Sequence, residues 1–160
     1  MDREILRSVS FLKNLTDDEL HAFSNLLTVR EVPPKEKIVT EGSPIHAFHI
    51  ICNGTVHARR MAQKREVLLG RIGPGGFFGE VNLFDSGFAT ASIHAIDKVT
   101  LAELDYGTFR TFMESNPAIG YKIVSGLMAE LSRRLRQTND RFVNSQYWAN
   151  ASTIQPASSR

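Results

Sequence analysis

The chain of 160 residues has one cysteine, one tryptophan, no clear excess of either charge and no apolar run long enough to cross a membrane. Lone Cys52 excludes an intramolecular disulfide, a CxxC redox pair and any multi-cysteine zinc knuckle, and it fits a reducing compartment. The opening stretch MDREILRSVSFLKNL is broken by charges and does not read as a secretory signal, so a cytoplasmic protein is expected. Nineteen basic against seventeen acidic residues give a net charge of +2, which points to no polyanion as a partner for the chain as a whole. No internal repeat or low-complexity block divides it. At this length one domain suffices, since folding removes roughly 70% of the surface that the unfolded chain exposes.

Metal and catalytic chemistry are also poorly served. Of the five histidines, His21, His46, His49, His57 and His94, only His46 and His49 are closely spaced, and on a strand that spacing points to opposite faces rather than forming an HxH pair. Ser92 and His94 share one strand, but no acid at matching spacing orients the histidine, and Cys52 sits in an apolar run typical of a core. The expectation is a non-enzyme with no metal and no cofactor.

What is present falls into three zones. Residues 1–30 are predicted helical: Thr16 with Glu19 is a capping box, and Leu20, Phe23, Leu26 and Leu27 follow at helical spacing until Val32-Pro33-Pro34. Residues 31–106 break into short β-rich runs, among them AFHIICNG, EVLLGRIG and VTLAELD, punctuated by Gly, Pro and Asn. Residues 107–145 return to helix. The fold class is therefore α+β, a β-roll or jelly-roll sandwich flanked by N-terminal helices and a long C-terminal helix, with residues 146–160 expected as a flexible tail. In the long helix Tyr121, Val124, Met128, Leu131, Leu135, Thr138 and Phe142 alternate at three and four, a coiled-coil seam that predicts a homodimer. Ile123 and Leu127 widen the stripe, so residues 117–128 are expected to pack on their own domain and the later ones on a second copy.

The segment RIGPGGFFGEVNLFDSGFATASIHA, residues 71–95, carries the chemistry. Five of the eleven glycines lie between residues 70 and 79. Such density lets backbone N–H groups converge on an anion, and GEVNLF would open a helical turn beside them. Glu80 would repel a bare phosphate but would accept hydrogen bonds from a sugar hydroxyl of the same ligand, which together describe a nucleotide. A glycine-rich turn between strands remains the alternative.

FLKNLTDDEL, KEKIVTEGSPIHAFHIICNGTV and GPGGFFGEVNLF together resemble the opening helices, first β-roll strands and phosphate-binding cassette of the cyclic-nucleotide-binding domain family, over about residues 5–145. The resemblance implies a regulatory sensor of cyclic AMP, cyclic GMP or a related nucleotide. It implies ligand contacts from Phe78, Gly79, Glu80, Val81 and Asn82, with the Glu80 carboxylate on the ribose. The family's cassette then supplies an arginine and a hydroxyl residue to the cyclic phosphate. Here Ala89 stands at the arginine position and Thr90 at the hydroxyl position; a slip of one residue would put Thr90 there, still without a guanidinium. Asn82 departs from the small residue usual in the family, and the loop is about one residue short. The resemblance further implies that Arg134 pairs with Glu80 and that Thr138 and Asn139 reach the purine, one from each subunit. For Thr138 a tolerated polar seam position is the alternative.

Residues 121–160 hold six basic residues against two acidic, a short cluster without interleaved aromatics. After the long helix about fifteen residues remain, too few for a helix-turn-helix, so no specific DNA binding is expected. Two functions stay open: a ligand sensor with weak, altered or lost nucleotide binding that signals to a separate effector protein, or a ligand-independent dimeric docking platform.

Overall fold

The computed structural model describes residues 3–85 and 87–151. Two short helices open the chain, α1 (Arg3–Ser8) and α2 (Asp17–Ser24), with a 3₁₀ turn at Ser10–Leu12 between them. The α2 capping box is formed in both directions: Thr16 Oγ1 accepts from the Glu19 N–H and Glu19 accepts from the Thr16 N–H. Helix stops at Ser24, short of the expected boundary near residue 30. Thr28–Val32 is already strand β1, because each of its five residues finds an antiparallel partner in β8 (Val99–Asp105).

The roll consists of two four-stranded antiparallel sheets. One is ordered β1, β8, β3 (Ala47–Asn53), β6 (Phe77–Phe78); the other is β2 (Lys37–Val39), β7 (Ser92–Ala95), β4 (Val56–Ala62), β5 (Arg65–Ile72). Strand period two splits the apolar residues between two cores. Val32, Ile51, Val56, Phe78, Ile93 and Leu101 fill the space between the sheets. Phe48, Ile50, Phe77 and Leu104 point the other way and meet Phe11, Phe23 and Phe109. Both faces of β3 are therefore covered, and it is buried from Phe48 through Cys52, His49 included.

Helix α3 (Glu80–Phe84) follows β6 directly, and α4 (Tyr106–Ser115) leads through Asn116 into α5 (Pro117–Ala151). At 1.5 Å per residue α5 is about 52 Å long. It runs past the expected end at 145, so residues 146–151 are helix rather than tail; the remainder of the expected tail lies outside the described residues. Gly126 lets α5 approach the 3₁₀ turn, since a Cβ there would come within 2.6 Å of the Phe11 carbonyl oxygen. Ile123 and Leu127 are buried in the chain's own core. Tyr121 and Met128 are not: with Leu135 and Phe142 they form a row seven residues apart, exposed at 75%, 57%, 62% and 63%. The outward apolar face thus includes residues 117–128, where only packing on the domain was expected.

Candidate functional site

Phe77 and Phe78 diverge because consecutive strand residues face opposite sides. Phe77 joins the helical core, and Phe78 stacks on His49 inside the roll with centroids 4.5 Å apart. Gly79 then turns the chain into α3 with φ of +88°. A side chain there would also collide, since a Cβ would lie 2.8 Å from the Ala47 carbonyl oxygen and 3.2 Å from Tyr106 Oη. Tyr106 donates its hydroxyl to the Gly79 carbonyl at 2.6 Å, and burial, followed by the charge of Glu80, pushes its phenol up to about 12.

Glu80, the first residue of α3, is buried and faces Arg134 of α5, whose Nη1 donates to Glu80 Oε1 at 2.8 Å. Burial raises the Glu80 carboxyl above its ordinary value, and the Arg134 charge offsets this only in part. Arg134 makes three further contacts: Nε to Glu130 at 3.0 Å, Nη2 to the Phe77 carbonyl at 3.4 Å, and its guanidinium lies 4.3 Å from the Phe77 ring centroid. Glu130 is itself buried, and hydrogen bonds from Arg133, then Arg134, hold it below the usual carboxylate range.

Phe78, Gly79, Glu80, Val81, Asn82, Ala89, Thr90 and Arg134 all line one cavity of about 210 Å³, closed by aliphatic walls from Val39, Ile45, Leu69 and Ile72. Ala89 is buried in its wall. Its peptide is fixed to the turn before β3, with Ala89 N–H donating to the Ser43 carbonyl and Gly42 N–H donating to the Ala89 carbonyl, each at 2.8 Å. Asn82 braces the same loop by donating from Nδ2 to the Phe88 carbonyl at 3.2 Å. Thr138 stands elsewhere: its hydroxyl donates to the Arg134 carbonyl, and it borders an adjoining groove rather than the cavity. Asn139 is exposed and borders neither.

Sequence reasoning missed Phe77, Tyr106 and Glu130. The Glu130–Arg134 spacing was a readable i, i+4 pair; the Tyr106 contact, across 27 positions, left no local signal. Among the described residues no group of His, Cys, Asp and Glu is arranged to hold a metal, and no helix is long and apolar enough to cross a membrane.

The profile described as "Cyclic nucleotide-binding domain" matches residues 29–116, more than half of the chain. A "CRP-like cAMP-activated global transcriptional regulator" of Mycobacterium tuberculosis is 31% identical over 138 residues, covering 86% of this chain and 60% of that protein. The chain therefore spans only about three fifths of the length of this curated relative. Among solved structures, a cyclic nucleotide-binding domain from Methylobacillus flagellatus has a TM-score of 0.80 at 22% identity, covering 89% of this chain and 80% of that one. The Thermus thermophilus catabolite activator protein has a TM-score of 0.77 at 24% identity, covering 86% and 63%. At these identities the two structures show a shared fold.

Proposed function

The chain belongs to the cyclic nucleotide-binding domain family, and from that premise we propose that it is a non-catalytic, homodimeric sensor whose cavity holds a nucleoside on Glu80 but grips a single cyclic phosphate weakly. The observation that carries this reading is the position of Arg134. One guanidinium on the long helix binds Glu80 in the cavity and Glu130 on its own helix. A sugar hydroxyl that donates to Glu80 competes with Arg134, so occupancy changes the contact that ties α5 to the roll. Differential contact of this kind is what a ligand needs to shift an equilibrium between two states.

The phosphate side is deficient. Ala89 occupies the wall where the family resemblance calls for an arginine, and a charge-assisted hydrogen bond contributes ~1.5–3 kcal/mol, so cyclic monophosphate affinity falls by roughly 10- to 150-fold. Ala89→Arg restores the cation, and isothermal calorimetry is expected to show cyclic AMP binding at least tenfold tighter. Adding Glu80→Gln should erase the gain. A folded Ala89→Arg protein that binds no cyclic nucleotide at millimolar concentration sinks the sensor reading. It would favour the second reading, a docking platform, which the exposed apolar row of α5 supports independently.

A further inference from the structure

Away from the cavity, one rung of the second sheet is basic from edge to edge. Lys37 on β2 pairs with His94 on β7, His94 with His57 on β4, and His57 with Arg71 on β5. Neighbouring strands lie about 4.8 Å apart, so four basic side chains share roughly 14 Å with no carboxylate among them. We infer that this rung is an acid-operated latch: neutral imidazoles hold the edge strand β5 on the sheet, and their protonation releases it.

Like charges directly opposite one another destabilise a sheet. With both imidazoles neutral, the two permanent cations, Lys37 and Arg71, stand at opposite ends of the rung. With both protonated, four cations stand in line.

The surroundings do not absorb that charge. Arg59, also on β4, adds a fifth cation and approaches His57 Nδ1 to 3.4 Å through Nη2. Arginine can only donate, so Nδ1 must accept, and a proton there would set donor against donor. The nearby carboxylate, Glu66 on β5, is already held by Arg59 Nη1 at 2.9 Å. Its other oxygen lies 3.4 Å from His94 Nε2, yet Nε2 of both histidines is buried without a hydrogen-bond partner.

Burial lowers the His94 imidazole below its ordinary value of 6.5; Glu66 pulls the other way, and Lys37 and Arg59 add to the lowering. A base so depressed stabilises the closed sheet above pH 6.5, and the contribution is lost as pH falls through the folded value. Glu66, held below 4.5 chiefly by Arg59, keeps its charge across that window.

The strand at stake is the one least secured. β5 is the outermost strand of its sheet and pairs with β4 alone. Next to the rung its ladder slips by one residue, since Ala58 faces Gly70 and Arg59 faces Leu68, leaving Leu69 unmatched. Leu69 and Ile72 also wall the cavity, so release of β5 opens it, whatever ligand it takes.

Amide hydrogen exchange of the chain, corrected for the intrinsic rate at each pH, tests the latch. Protection of the β5 amides is expected to fall roughly fivefold or more between pH 7.5 and pH 5.0, while β3 and β8 in the other sheet keep theirs. His57→Gln with His94→Gln should abolish the fall. Lys37→Ser with Arg71→Ser, which spares both imidazoles and relieves the ends of the rung, should at least halve it. Protection of β5 that does not change with pH overturns the latch. So does a fall shared equally by β3 and β8, or one that persists undiminished in both double variants.

Discussion

Glu80 is a carboxylate kept in a place that disfavours its charge. In the folded chain its carboxyl is raised above the value of 4.5 that it has when exposed, chiefly by burial, so it holds its proton more tightly folded than unfolded. Its contribution to stability is fully present below 4.5 and is lost as pH rises through the raised folded value. Glu80→Gln should therefore gain stability relative to wild type between pH 4 and pH 8, read from urea midpoints; parallel pH curves for the two proteins would remove the buried charge from the account. Gly79 gives a second test at this scale. Gly79→Ala must hold φ at +88° and displace the Ala47 carbonyl, for an expected cost of about 1–3 kcal/mol in urea unfolding. The glycine cluster and Glu80 were legible in the sequence because their spacing is local. The role of Asn82 was not, because its amide bonds a carbonyl across a loop, and nothing in composition distinguishes that brace from a ligand contact.

Helix α2 was legible down to its cap, since a capping box is complete within four residues. Its expected continuation through Leu26 and Leu27 failed because the chain turns there, with Leu26 N–H donating to the Phe23 carbonyl and Leu27 N–H to that of Ser24, and enters β1, whose partner β8 lies some seventy positions away. Thr16→Ala should cost roughly 1 kcal/mol, measured by thermal or urea unfolding. For α5 the 3,4 spacing showed the seam but not which residues the domain itself would cover. Leu131 is half-buried, whereas Leu135 and Phe142 are exposed, so glutamate at the latter two leaves the monomer's packing alone. Sedimentation velocity at roughly 50 µM, where a dimer of moderate affinity persists, should show a dimer for wild type and a monomer for the Leu135→Glu, Phe142→Glu protein. A wild type that sediments as a monomer at that concentration removes the seam.

Across the whole molecule, the β-roll class was readable because turn residues recur between short strands. The division into two cores was not, since it depends on which face of β3 meets helices and which meets the second sheet. The basic excess near the C-terminus finds a use within the chain, as Arg133 and Arg134 close on Glu130. These 160 residues are expected to retain a DNA duplex only at the ~10⁻⁴–10⁻⁶ M of nonspecific contact at physiological salt; nanomolar retention of one sequence in a mobility-shift assay would contradict this.

The length of α5 has a mechanical consequence. Every residue from Leu135 to Tyr147 is exposed, so Arg134 marks the point at which the domain ceases to clamp the helix. From there to Ala151 runs roughly 25 Å of stiff rod at 1.5 Å per residue. The helix is a lever with its fulcrum at the Glu80 contact: a tilt of about 10° there carries the far end through roughly 4 Å, about the rise of three residues. A displacement too small to repack the roll is thereby multiplied into one that a partner seated on the distal turns would register.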